Sequence, residues 1–70
     1  MENSTKVCIA IKKLKEDAEF IFTGDITTEA EFNKIDWVTG VNSEEIAITT
    51  NTCPHSEIDW AKFKTEYDKL

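Results

Sequence analysis

"KVCIAI", residues 6–11, is the stretch on which the fold turns. Val7, Ile9 and Ile11 alternate with Cys8 and Ala10, so an extended chain here is apolar on both faces, the pattern of a strand at the centre of a sheet. The polar "KKLKED" (12–17) reads as a connection to "AEFIFT" (18–23), where Ala18, Phe20 and Phe22 face one way and Glu19, Ile21 and Thr23 the other. The pair predicts a hairpin, and the lack of an Asn-Gly signature predicts a longer, less regular turn.

Beyond Gly24 the period changes. Thr28 with Glu31 fits a capping box, Phe32, Ile35 and Val38 fall on one helical face, and Gly40 is a C-terminal stop, which predicts a short helix. "VNSE" (41–44) reads as a turn and "EIAITT" (45–50) as a third strand with Ile46 and Ile48 inward. In "SEIDWAKFKTEYDKL" (56–70), Trp60, Phe63, Tyr67 and Leu70 make the stripe of a second helix. The predicted fold is therefore α+β, a single small domain over residues 6–70 in the order β-β-α-β-α, preceded by a flexible polar N-terminus at 1–5. A right-handed crossover gives a three-stranded antiparallel sheet of order 2-1-3 with two helices packed on one face.

Size limits what such a domain can do. A chain of 70 residues buries only about 60% of its unfolded surface, and its twenty large apolar side chains from Val7 onward suffice for one core layer but not for a deep pocket besides. Two cysteines, Cys8 and Cys53, are too few for a disulfide scaffold, and the N-terminus lacks the pattern of a signal peptide, so a cytoplasmic location with free thiols is expected. No run approaches the ~20 apolar residues that span a bilayer, so no membrane partner is expected.

The net charge is −6, and arginine, the residue best suited to bidentate phosphate and guanine recognition, is absent. Direct nucleic-acid binding is not expected. Residues 16–61 hold eleven acids against Lys34 alone, whereas the first 15 residues hold Lys6, Lys12, Lys13 and Lys15 against Glu2. An acidic segment of this kind suits a basic partner surface.

"TNTCPHSE" (50–57) places the chain's only proline and only histidine directly after Cys53. Pro54 predicts a helix start, with Ser56 and Asp59 as a capping pair, and a thiol at a helix N-terminus beside His55 could have a lowered pKa. Glu57 and Asp59 oppose a thiolate, and two cysteines with one histidine fall short of the about four ligands of a zinc site. Neither a metal nor another cofactor is expected. The paired carboxylates lie in polar stretches without the contrasting environments that acid–base catalysis needs, so the chain does not read as an enzyme.

The candidate binding residues are Glu29, Glu31, Asp36, Trp37, Glu44, Glu45 and Ile58. If the helices are regular, Trp37 and Ile58 sit off the core stripes; they are then either covered where the chain turns back at a helix end, because exposing such side chains is costly in so small a domain, or apolar anchors in an acidic rim. The expected function is a small acidic non-enzymatic protein-binding module, monomeric or dimeric. One form of it is a phage or mobile-element accessory that inhibits a basic, nucleic-acid-binding host protein. The alternatives are an assembly module that self-associates through an edge strand, the third being the candidate, and a thiol or metal site at Cys53/His55.

Overall fold

The computed structural model describes Met1–Leu70. Its elements are α1 (Asn3–Leu14), β1 (Phe20–Ile21), α2 (Glu29–Phe32), β2 (Asp36–Val41), β3 (Ala47–Thr50) and α3 (Trp60–Asp68), and the sheet is antiparallel in the order β1-β2-β3. The coarse expectation of a small α+β domain with a three-stranded antiparallel sheet holds. The order 2-1-3 does not, because the stretch placed at the centre of the sheet is a helix.

"KVCIAI" lies in the middle of α1. Its five apolar residues are too few to fix a period, and the longer window is what decides. Val7, Ala10 and Ile11 are fully buried and Leu14 packs against them, which is i, i+3, i+4, i+7 spacing, while Cys8 and Lys12 are exposed. Lys12 and Lys13 in the last turn complement the negative end of the helix dipole. Residues 3–5, read from their polarity as a flexible lead-in, form the first turn. The Asn3 side chain anchors that turn, accepting from the Ile26 amide at 2.8 Å and donating to the Ile26 carbonyl at 3.0 Å and the Tyr67 hydroxyl at 2.9 Å.

The capping box forms as expected. The Thr28 hydroxyl accepts from the Glu31 amide, and the Glu31 carboxylate accepts from the amides of Thr28 and Thr27 and the Thr27 hydroxyl. The helix it opens stops at Phe32, however, rather than running to Gly40. The next residues include Ile35, Trp37 and Val38, bulky or β-branched types that favour a pleated strand, and they enter β2. Phe20 pairs with Trp37 and Trp37 with Thr50, so these three side chains share the inner face of the sheet, while Ile21, Asp36, Val38 and Thr49 lie on the outer face.

Around Trp37 the core closes with Ala18, Ile26, Phe32, Ile35, Ile58 and Phe63 beside the α1 residues. Phe32 is its hinge point, with its ring 5.1 Å from Phe63, 5.7 Å from Trp60 and 6.1 Å from Trp37. The final helix keeps the expected stripe, with Phe63 buried and Trp60 and Tyr67 partly buried, although Leu70 is exposed. It starts at Trp60, not at Pro54, because the Asp59 carboxylate caps it by accepting from the Lys62 amide at 2.7 Å.

Candidate functional site

Trp37 and Ile58, the expected apolar anchors, are 1% and 3% exposed. The expectation rested on regular helices through both positions. In the structure Trp37 is on the inner face of a strand and Ile58 precedes α3, with its amide donating to the His55 carbonyl. Both side chains are core.

The candidate acids do not converge on one face. Glu31 is held by the capping box, and the Thr27 hydroxyl and amide bound to it hold its carboxyl below the usual range. Glu29 is exposed in the same turn. Asp36 accepts from the Asn51 side-chain amide at 2.7 Å. Glu44 and Glu45 sit beyond the far end of β2, about 20 Å along the strand from Asp36 at ~3.3 Å per residue. The residues between carry no charge: Trp37–Val41 on one strand and Ile46–Thr50 on the other.

Cys53 and His55 lack the helix start expected to activate the thiol. α3 begins well past them, and burial, the largest effect, pushes the Cys53 thiol up against the opposing hydrogen bond to the His55 carbonyl, with Glu57 and Asp59 adding to the rise. The thiol contacts the His55 carbonyl at 3.6 Å, and the imidazole stands edge-on to Trp37, its Nε2 buried without a hydrogen-bond partner. No three His, Cys, Asp or Glu side chains are grouped to hold a metal ion. A groove of about 270 Å³ runs past Phe22, Asp25, Ile26, Glu31 and Lys34, and the capping box already occupies its Glu31.

What the molecule presents instead is an arm. Every residue from Thr39 to Thr49 is exposed, and the molecule measures 40 Å in its longest dimension against 23 and 20 Å in the others, as an arm beyond the core requires. Its tip is built by Asn42, whose side-chain oxygen accepts from the amides of Glu44 and Ile46, while Glu45 turns the chain in the left-handed region at φ 62°. This is the turn expected at "VNSE". Along the arm Val41, Ile46 and Ile48 are 65%, 56% and 47% exposed, so the inward placement expected for both isoleucines fails. They do point to the face that Trp37 occupies, but the core ends before reaching them.

The two long edges of the arm differ. On β2 the register slips between Val38 and Gly40, a bulge that breaks the regular row of amides. On β3 the row is regular and its outer side has no neighbour. The Ile46 carbonyl accepts from the Asn42 amide, one residue past the end of β2, and on the far side of the bulge the Val38 amide donates to the Glu19 carbonyl, away from β3. By the alternation of an antiparallel ladder, Ile46, Ile48 and Thr50 address β2, and Ala47 and Thr49 turn their N–H and C=O groups outward. Sequence reading placed the strand here but missed the exposed arm. The usable signal was the uninterrupted "IAITT", which lacks the lysine or proline that commonly guards an edge.

Comparison with protein-family models, with curated proteins and with solved structures finds no match to this chain.

Proposed function

We propose that this chain is a non-enzymatic protein-binding module whose working element is the β2–β3 arm, and that it engages a protein partner by adding a strand to the free edge of β3. The observation that supports this reading is the unguarded edge itself: Ala47 and Thr49 offer paired donors and acceptors outward beside the exposed Ile46 and Ile48. Strand addition satisfies those groups through main-chain hydrogen bonds and covers the isoleucines at the same time. Glu44 and Glu45 at the tip narrow the acidic-surface idea to one place, where they favour a partner edge flanked by basic side chains.

The test is an extended peptide probe of sequence Lys-Thr-Ile-Thr-Ile-Thr-Lys added to isotope-labelled protein, followed by amide chemical shifts. The reading expects saturable shifts centred on Ala47 and Thr49, lost in Thr49→Pro. That substitution removes an outward donor and no bond to β2. Shifts confined to α1, or none at the solubility limit of the probe, would defeat it.

A further inference from the structure

Resting on the strand-addition reading, we infer that the partner is a second copy of this chain, joined β3 to β3 about a two-fold axis through Ile48. Three independent features of the edge match their own rotated image.

The first is the hydrogen-bond register. Because Ala47 and Thr49 both face outward, an antiparallel copy can place Ala47 opposite Thr49 of the second copy and Thr49 opposite its Ala47, each pair exchanging both main-chain bonds. That register puts Ile48 opposite Ile48 in a non-hydrogen-bonded pair, the closer kind, about 4.5 Å between Cα atoms. Ile46 then faces Thr50.

The second is apolar. Ile46 and Ile48 lie on one face, so the rotation brings four half-exposed isoleucines into a single strip across the joint. A two-fold axis normal to the sheet keeps them on that face in both copies.

The third is charge. In the same register Glu45 lies opposite Asn51 of the second copy. The Asn51 side chain donates to the Lys34 carbonyl at 3.3 Å, so the backbone of Lys34, the sole cation between Lys15 and Lys62, lies on the inner side of Asn51, and its exposed side chain is long enough to extend toward Glu45 of the second copy. Asp36 is there too, already accepting from Asn51. Within one chain neither Glu45 nor Lys34 forms an ion pair, although four such pairs form elsewhere. Association supplies the missing partner twice, once at each end of the joint. The opposite edge of the sheet consists of the two-residue β1 and, beyond it, the bulged part of β2, and neither has a comparable row of amides, so growth stops at two copies and does not continue into a fibre.

The experiment is sedimentation equilibrium of the full chain from micromolar to millimolar concentration, with four variants. Ile48→Lys sets two like charges against each other at the axis and should leave a monomer with unchanged circular dichroism, since Ile48 is already half exposed. Lys34→Glu and Glu45→Lys should each weaken the dimer roughly ten-fold, and the double variant should recover most of that loss, because exposed pairs contribute up to about 1 kcal/mol each and there are two. A dimer that ignores Ile48→Lys overturns the β3 joint. A dimer lost with Ile48→Lys, in which the double charge variant recovers none of the loss seen in the single charge variants, overturns the register. A chain that stays monomeric at every concentration overturns the second-copy assignment; if the peptide probe still shifts Ala47 and Thr49, the strand-addition reading stands without it, and if the probe also fails, both fall.

Discussion

Replacing Trp37 by alanine separates the two roles that this residue can have. A binding anchor on the surface would leave stability nearly untouched. The structure instead buries the indole to 1% exposure, with the rings of Phe20, Phe32 and His55 at 5.7, 6.1 and 6.0 Å. Removing a buried Trp side chain costs about 3–5 kcal/mol, the transfer of the lost atoms plus the cavity they leave. A domain of this length has about 4–10 kcal/mol in total, at ~0.05–0.15 kcal/mol per residue. Trp37→Ala should therefore be unfolded or nearly so, and Trp37→Phe, which fills most of the space, should remain folded with a loss of about 1–2 kcal/mol. The assay is urea unfolding followed by far-ultraviolet circular dichroism at low protein concentration, so that association does not add to apparent stability. Ile48→Lys, measured beside them, should stay within about 0.5 kcal/mol of the parent. A midpoint for Trp37→Ala that places its stability within about 0.5 kcal/mol of the parent would refute the assignment of Trp37 to the core.

Asn3→Ala should lose about 2 kcal/mol in the same assay, because it removes three hydrogen bonds and strips both the N–H and C=O of the buried Ile26 of their partners; Tyr67→Phe, which removes one, should lose about 1 kcal/mol or less. Acid should destabilise the fold. Glu31, Asp17 and Glu57 are held below their ordinary range, Glu31 by Thr27, Asp17 by Lys15, and Glu57 by its own backbone amide with help from Lys15. Depressed carboxylates contribute stability that is present above the ordinary range near pH ~4 and is lost as pH falls through their folded values, and Glu31→Gln should flatten that loss in a thermal-melt series against pH. At neutral pH a thiol reagent should modify exposed Cys8 before Cys53, whose thiol burial holds protonated; a faster reaction at Cys53, located by peptide mass mapping, would reopen the reactive-site reading.

The parts of the fold legible in the sequence are those with a local chemical signature. The Thr28/Glu31 box, the turn near Asn42 and the Phe63/Tyr67 stripe each depend on residues within a few positions of one another. What failed was the choice between two periods over short windows. Val7, Ile9 and Ile11 fit a strand, and Val7, Ala10, Ile11 and Leu14 fit a helix; the window that reaches Leu14 decides, and Asn3, bonded to Ile26 and Tyr67 far along the chain, anchors the first turn of that helix. Conversely, Phe32, Ile35 and Val38 have helical spacing, yet pairing of Trp37 with both Phe20 and Thr50 draws that stretch into the sheet. Once Trp37 moves from helix to strand it turns from surface to core. The candidate site moves with it, from two tryptophan- and isoleucine-centred patches to the arm.

The arm follows from the size of the chain. A core of ten buried residues covers the start of β2 and ends there, so a hairpin that continues past it must expose what it carries. Natural edges commonly carry charge, proline or a bulge when exposure is incidental, and β2 has the bulge. On β3 there is none of these; Ile46, Ala47, Ile48, Thr49 and Thr50 form a regular row of strand-favouring residues, and the only charges, Glu44 and Glu45, are placed at the tip, where they leave the row open. Self-repulsion of a chain with net charge −6 opposes unselective stacking, and the Glu45–Lys34 pairing we propose across the joint would reduce that repulsion for one geometry alone. High salt should accordingly weaken the charge contribution of the correct joint while relieving general repulsion, so the dissociation constant should change little with ionic strength in the parent chain. In Lys34→Glu only repulsion remains. Added salt should then tighten its association steadily, and association of that variant that instead weakens with salt would contradict the placement of Glu45 beside Lys34.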